Sequence, residues 1–174
     1  MAVNREELIT MNLHPSEPEI GYALFTIEDS RRRTLEVLEG LPDDRLVWQA
    51  PHHDHTISTL LYHIAAIELD WLVVEVREGD APPGTWERFP YEVRDDEGRL
   101  TTVTGVALEA HLARLQFVRD LLLHTYQAMT LSDFHRPRML ETYDVTPSWV
   151  LHHLCQHEAE HRMEMRLICS AAGA

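Results

Sequence analysis

The chain has 174 residues, of which 44% are hydrophobic, and a formal net charge of −14 at pH 7. This length and apolar content predict one globular domain spanning residues 1–174, with enough apolar side chains to form a core. The charge argues against nucleic acid as a partner, and neither a membrane-spanning apolar run nor a secretory signal in residues 1–13 is expected.

Apolar residues at helical spacing predict an all-α fold with four long helices. The first helix is expected to begin at Ser16, where Ser16-Glu17-Pro18-Glu19 has the form of a capping box, and to end near Gly40. The adjacent basic residues Arg31, Arg32 and Arg33 are interpreted as a solvated face of this helix. Its inward stripe is predicted to consist of Ile20, Leu24, Ile27, Leu35 and Leu38.

The second helix is predicted to begin after Thr56 and to stop at Gly79, and the third to run from about Val106 to Ala128. Between them, residues 80–105 form a connection that is long for a compact domain, which is typical of a functional or disordered loop. A turn is predicted at residues 95–98, with room for a short β-hairpin around it. The inward residues of helix two are expected to be Leu60, His63, Ile67, Trp71 and Val74, and those of helix three Leu108, Leu112, Leu115, Val118, Leu122 and Tyr126.

The fourth helix is predicted to begin with Thr146 as N-cap and Pro147 in the first helical position. Its inward stripe is Val150, Leu154, His157, His161, Met165 and Ile168. Four such helices, with a long crossover between the second and third, predict a four-helix bundle. Cys155 and Cys169 lie about 21 Å apart along this helix, too far for a disulfide, which favours a reducing compartment such as the cytoplasm.

Two inward histidines one helical turn apart, His157 and His161, are the most informative residues of the chain. Imidazoles at positions i and i+4 can bind one divalent metal ion together, although two hydrogen-bonded core histidines are the alternative. The segment also matches the HExxH motif of zinc metalloproteases. The downstream third ligand of those enzymes has no counterpart here, because residues 162–174 place Glu164 and Leu167 where Gly and His would be needed.

A third ligand must therefore come from upstream, and His63 is the candidate. It lies in the predicted second helix, three residues after Leu60 and four before Ile67, so it should also point inward. Three inward histidines are hard to satisfy by hydrogen bonds alone, whereas one ion satisfies all of them and keeps a coordination position open. Asp70, on the same face, is the alternative ligand and would give a two-histidine, one-carboxylate site.

The residues 60–68 with Trp71, and the residues 149–154 that lead into His157, His161 and Arg162, resemble the DinB/YfiT-like superfamily of metal-binding four-helix bundles. Together with the helix order, the resemblance spans nearly the whole chain. It implies a metal site of His63, His157 and His161, commonly with zinc or nickel, and often a homodimer. Characterised members include bacillithiol-dependent S-transferases and mycothiol-dependent maleylpyruvate isomerase. Met163-Glu164 departs from the Gly-Gln that is frequent after the final histidine.

We therefore expect a metal-dependent transferase in which the ion lowers the pKa of a low-molecular-weight thiol that attacks an electrophile. The alternatives are a metal-dependent hydrolase, with Glu158 or Asp70 as weak candidates for the base, and a non-catalytic bundle that binds a metal or another ligand. For Glu158, a position at the surface or beside a ligand is favoured over a catalytic one. Glu164, one turn beyond His161, is expected to orient that imidazole.

Three further features have predicted roles around the site. His52, His53 and His55 are interpreted as an exposed loop before helix two, and His153 as a neighbour of the ligands. Cys155 is expected to point away from the metal. The aromatic residues of the long connection, Trp86, Phe89 and Tyr91, are predicted to form part of a wall or lid over the metal, with a dimer contact as the alternative.

Overall fold

A computed structural model describes residue 11 and residues 17–173 of the chain and is mostly helical. Two one-turn α-helices, a short 3-10 helix (Trp86–Arg88) and one small antiparallel sheet lie in the connections between four long helices. In chain order the elements are α1 (Pro18–Leu38), α2 (Asp43–Leu46), α3 (Ile57–Trp71), α4 (Leu108–Gln127), α5 (Leu131–Phe134), β1 (Arg138–Met139), β2 (Asp144–Val145) and α6 (Pro147–Ala171). A π-helical turn, Leu72–Val76, continues α3 directly.

The ends of the helices follow local capping chemistry. The Thr56 side chain accepts a hydrogen bond from the Thr59 N–H at the start of α3, and Thr146 does the same for the Trp149 N–H at the start of α6. Both predicted starts are confirmed. Helix α1 begins at Pro18, and Ser16 of the predicted capping box lies outside the described residues. Gly40, just after α1, has a φ of +68°, a left-handed conformation that favours glycine and ends the helix.

The long helices bury their apolar faces against one another. Helix α1 packs against α6, α3 packs against α4 and α6, and α1 also contacts α4. Two clusters form most of the core: one includes Ile20, Leu24, Ile27, Leu122, Tyr126, Val150 and Leu154, and the other Leu38, Leu60, Leu61, Leu115, Met165 and Ile168. These are mostly the residues that helical spacing predicts to point inward, because the same spacing that defines a stripe defines the buried face.

Helix α3 is the most deeply buried of the long helices. With the turn that follows it, the segment Ile57–Val76 is long and apolar enough to cross a membrane, so the expectation that no apolar run reaches that length is wrong. However, 78% of the apolar window is buried inside the protein. The segment is therefore described as a core helix of the protein.

Three residues face the opposite way from their predicted direction. Leu35 and Val74 are 39% and 43% exposed, although both were expected to point inward. In α1 the buried positions between Ile27 and Leu38 are taken instead by Ser30, Arg31 and Thr34. Arg31 is 6% exposed, so only Arg32 and Arg33 belong to a solvated face. Val74 lies in the π turn, where the extra residue per turn shifts the helical phase and moves it outward.

The long connection, residues 80–105, is an ordered cover on α3 and α4. The predicted turn at residues 95–98 is confirmed, but the hairpin around it is reduced to a single antiparallel bridge between Arg94 and Leu100. The Tyr62 hydroxyl donates to the Tyr91 carbonyl oxygen at 2.6 Å and accepts from the Tyr91 N–H at 3.0 Å. Arg114 donates to the Arg88 carbonyl oxygen at 2.7 Å. These bonds to α3 and α4 hold the connection in one place.

Candidate metal centre

Three imidazoles meet where α3 crosses α6. The Nε2 atom of His63, on α3, lies 3.1 Å from Nε2 of His157, and the latter lies 3.1 Å from Nε2 of His161; both His157 and His161 are on α6. One nitrogen from each of the three rings lies within 4.8 Å of the other two. The structure thus brings together the three histidines that the sequence singles out, and it gives them a spacing at which they could hold a metal ion.

Local structure explains why the three rings converge. The histidines of α6 are four residues apart, so their side chains project from neighbouring turns of one face, the face that also carries Leu154 and Met165 into the core. His63 is 5% exposed and lies in the second turn of α3, whose start is fixed by the Thr56 cap. The contact between α3 and α6 then brings His63 to the other two rings.

Burial keeps these imidazoles neutral. Loss of solvation, with a smaller contribution from charge repulsion by the neighbouring imidazoles, lowers the pKa of His63 and of His157 to about 3. Burial also lowers the pKa of His161, against the opposing effect of the nearby Glu164 carboxylate. At neutral pH the rings are therefore unprotonated, which is the state in which imidazole binds metals.

The hydrogen-bonding state of the three rings fits a bound cation. A neutral imidazole has one N–H and one lone pair on its two ring nitrogens. The three Nε2 atoms face one another. Nδ1 of His63 and of His161 is buried and has no hydrogen-bond partner among the described residues. With an ion at the three Nε2 atoms, each ring would carry its proton on Nδ1, which points away from the ion. Nitrogen ligands about 2.1 Å from a tetrahedral ion lie about 3.4 Å apart, close to the observed 3.1 Å. The three residues therefore fit a divalent ion.

Glu164 lies beside the outer side of the cluster, as predicted. Its Oε1 atom is 3.3 Å from Nδ1 of His161, although the two groups are not aligned as a hydrogen bond. A carboxylate on the ring nitrogen that faces away from a metal fixes the orientation of the ring and makes the ligand nitrogen more basic.

The two carboxylates considered as alternative ligand or base are not at the cluster. Asp70 is exposed and lines a separate cavity with Tyr62, Trp86 and Phe89. Glu158 is 1% exposed, so of the two positions favoured for it, at the surface or beside a ligand, the one at the surface is wrong. Both of its carboxylate oxygens accept hydrogen bonds from arginines in the core, so its contacts are with those arginines and not with the histidine cluster.

Glu158 belongs to a buried ion network that sequence analysis missed. Arg31 of α1, Glu68 of α3, Arg119 of α4 and Glu158 of α6 each contribute one charge, and none is more than 6% exposed. Arg31 donates to Glu158 and to Glu68, both at 2.7 Å. Arg119 donates to Glu68 at 2.8 and 3.0 Å and to Glu158 at 3.1 Å. The network therefore connects all four long helices.

The charges of this network compensate one another. Burial alone would raise the pKa of Glu68, but Arg119 and Arg31 more than offset that effect and hold its pKa below the ordinary value. Glu158 directly follows the ligand candidate His157, and Glu68 lies five residues after His63. The network thus fixes α3 and α6 relative to each other close to the histidine cluster. One signal could have revealed it: Glu68 is a lone acid within the apolar segment 60–69.

The remaining candidates lie near the cluster but outside it. His153 contacts His157 with ring centroids 6.1 Å apart, as expected for a neighbour of the ligands. None of His52, His53 and His55 joins the cluster. The Cys155 thiol points toward the Thr26 carbonyl oxygen of α1 at 3.8 Å, away from the cluster as predicted.

The aromatic residues of the long connection do not cover the histidines. Trp86, Phe89 and Tyr91 line a cavity whose other wall is formed by Tyr62 and its neighbours on α3, and none of the three histidines lines it. The prediction of an aromatic lid over the metal is therefore wrong. Tyr62 points toward the connection whereas His63, one residue on, points toward α6, since neighbouring helical residues diverge by about 100°.

The fold and the site together define a class of protein: mostly helical, with a cluster of three histidines that could hold a metal ion. A model of the DinB superfamily matches residues 26–165, and the chain belongs to that superfamily, whose members generally bind metals. Its fold is similar to that of a protein from Streptococcus pneumoniae with a known crystal structure, with a TM-score of 0.59 over 88% of this chain and 91% of that one. The two sequences are 14% identical, so the likeness supports the fold alone. No curated protein matches the sequence.

Proposed function

We propose that His63, His157 and His161 bind one divalent ion, zinc or nickel, in a four-helix bundle formed by α1, α3, α4 and α6. We further propose that the protein is a cytoplasmic transferase that joins a low-molecular-weight thiol to an electrophilic substrate. The observation that supports the site best is the convergence of three neutral imidazole nitrogens at 3.1 Å spacings on a buried face.

The chain supplies the binding site, and the ion supplies the reactivity. A divalent ion held by three neutral imidazoles keeps its full double charge and an open coordination position, so it would lower the pKa of a small thiol toward neutral pH. Burial holds His63 and His157 unprotonated in that role, and Glu164 is placed to orient His161. The buried ion network keeps the two helices that carry the ligands in register.

The nucleophile is proposed to be an external thiol because neither cysteine of the chain is suited to the role. Burial raises the pKa of Cys155 and of Cys169, which disfavours their thiolate forms. Cys155 also points toward α1 rather than toward the histidines. The sulfur of a thiol from solution would form a bond to a carbon atom of the electrophile. The leaving group would depart with the electron pair of its bond to that carbon, and the thiol proton would pass to solvent.

The alternatives of a hydrolase and of a structural metal have less support. Hydrolysis needs a base near the ion, and the two candidates are unsuitable: Glu158 is held by two arginines, and Asp70 lines a different cavity. Structural zinc sites usually have four protein ligands. Among the described residues, no fourth histidine, cysteine or carboxylate joins the cluster.

Metal content is the first test of this proposal. Protein purified without a histidine tag should contain about one zinc or nickel ion per chain, and His161→Ala should lower that content sharply. His152→Ala is the matched control, since His152 is exposed on the same helix and should leave the content unchanged. Equal metal content in wild type and His161→Ala would contradict the proposed ligand set.

A thiol-transfer assay then tests the reaction. Conjugation of a chromogenic aryl halide should require both the metal and an added thiol, and chelation should abolish it. Turnover that is independent of thiol but abolished by the chelator would favour the hydrolase. Sedimentation at micromolar concentration tests the proposed homodimer, which rests on the family resemblance, and a purely monomeric profile would exclude it.

A further inference from the structure

A second cavity lies outside the histidine cluster, beside the start of α6. Its volume is about 570 Å³, within the range of small-molecule sites. Its walls come from the end of α3, from β2 and its flanking residues, and from the first turn of α6, and they include Trp71, Tyr143, Asp144, Val145 and Trp149. None of the three clustered histidines lines it. Neither the metal proposal nor the family assignment gives this cavity a role.

Three aromatic rings dominate the cavity wall. The centroids of Trp71 and Trp149 are 5.5 Å apart, and those of Trp71 and Tyr143 are 6.4 Å apart. Trp149 and Tyr143 are 48% and 45% exposed, so large parts of both side chains remain accessible. His153 stacks on Trp149 at 5.0 Å with an interplanar angle of 9°, which holds that ring in place from one side. Aromatic faces grouped in this way attract cations through their negative quadrupoles.

The charges around the cavity have one sign. Asp144 lines it directly, and no lysine or arginine is among the residues that line it. The Tyr143 hydroxyl donates to Oε1 of Glu75 at 2.7 Å, and this bond raises the pKa of Tyr143 to about 12. Donation to a carboxylate makes the phenol ring more electron-rich, which strengthens its attraction for a cation.

Glu75 adds a second and independent indication. The residue is 5% exposed, and its Oε2 atom has no hydrogen-bond partner among the described residues. Among the residues that the structure describes, no arginine, lysine or histidine forms an ion pair with Glu75, and its side chain accepts a hydrogen bond from the Tyr143 hydroxyl. A buried carboxylate without a counter-charge is costly, and a positive ligand on the other side of the Tyr143 ring would lower that cost.

We propose that this cavity binds a small organic cation, a trialkylammonium or protonated alkylamine group, with Trp71, Tyr143 and Trp149 around the cation and Asp144 at its edge. A neutral apolar ligand would also fit the volume, but it would leave the charges of Asp144 and Glu75 uncompensated. The site does not require a metal at the histidine cluster, so it stands apart from the proposed transferase activity.

Calorimetric titration with a charged probe and its neutral isostere tests the proposal. Choline and 3,3-dimethyl-1-butanol have the same shape and hydroxyl group and differ in the charge of the central atom. Ionic strength is held constant with sodium chloride, so that general attraction to an acidic protein is the same throughout. Choline should bind saturably, and about tenfold more tightly than the alcohol. Equal affinities, or no binding of choline, would overturn the proposal.

Variants locate the binding. Trp149→Leu and Asp144→Asn should each weaken choline binding, Trp149→Leu by about tenfold, and both residues are exposed enough for the fold to tolerate the change. Trp86→Ala is the matched control, because Trp86 is an exposed tryptophan outside this cavity. His161→Ala should leave choline binding intact, which separates this site from the metal centre. Unchanged affinity in Trp149→Leu, or loss of binding in His161→Ala, would overturn the assignment.

Discussion

Glu68→Gln should be among the most destabilising single substitutions in the chain. Glu68 accepts three hydrogen bonds from Arg31 and Arg119, and all three side chains are almost fully buried. The amide of glutamine keeps the size of the side chain but removes its negative charge. The two arginines would then share only the Glu158 charge inside the core, with Glu28 at the rim.

The expected loss follows from that uncompensated charge. Removal of one partner from a buried, hydrogen-bonded ion pair costs about 3–5 kcal/mol of unfolding free energy. For a protein of this size, such a loss lowers the melting temperature by about 6–20 °C. Urea unfolding at pH 7, followed by circular dichroism, measures this loss of unfolding free energy. Arg32→Gln is the control, because the pair of Arg32 with Asp29 is exposed and screened, and its midpoint should hardly move.

The pH dependence gives a second readout of the same network. Since the pKa of Glu68 is lowered in the folded protein, its contribution is complete at neutral pH and is lost as pH falls through the folded pKa. The difference in unfolding free energy between wild type and Glu68→Gln should persist from pH 7 to pH 5 and should decrease only in stronger acid. A midpoint for Glu68→Gln within error of wild type at pH 7 would refute the coupling of these four charges.

Three further predictions concern single residues. Burial lowers the pKa of His111 to about 4, so wild type should lose stability as pH falls from about 6.5 toward 4, and urea midpoints of His111→Gln should show a weaker dependence over that range. Tyr62→Phe removes both bonds to Tyr91 and should speed hydrogen exchange around residue 91, without a change in metal content. Glu164→Ala should weaken metal affinity about tenfold in a chelator competition, and an unchanged affinity would show that Glu164 does not orient His161.

The long helices and the histidine cluster could be predicted from sequence because both depend on spacing within single helices. His157 and His161 share a face whatever the rest of the chain does, and the caps Thr56 and Thr146 act within three residues of themselves. The choice of His63 over Asp70 needed the packing of α3 on α6 or a family resemblance. The structure places His63 with the pair, and Asp70 lies elsewhere.

The features that the sequence did not reveal depend on contacts between helices or on a change of helical phase. Arg31 occupies an inward position, but the sequence of a single helix cannot show that Glu68 and Glu158, on other helices, compensate its charge. Helical spacing favours Leu35 as an inward residue because it is apolar, but Leu35 is 39% exposed and the paired cation Arg31 is buried. Strands β1 and β2 are two residues long, too short to produce a periodic signal.

The π turn Leu72–Val76 separates two parts of one helix, so a change of one residue in chain length at the turn need not disturb the packing of either part. A π turn is what an α-helix forms when one residue is inserted while the packing on both sides is kept. Deletion of one residue there would restore a continuous α-helix without rotating the segments on either side of the turn. Only the residues of the turn itself, Glu75 and Val76 among them, would be repositioned, and His63 and Glu68 would stay in place. Sequences one residue shorter in this segment can therefore keep the histidine cluster while the side chains around Tyr143 change.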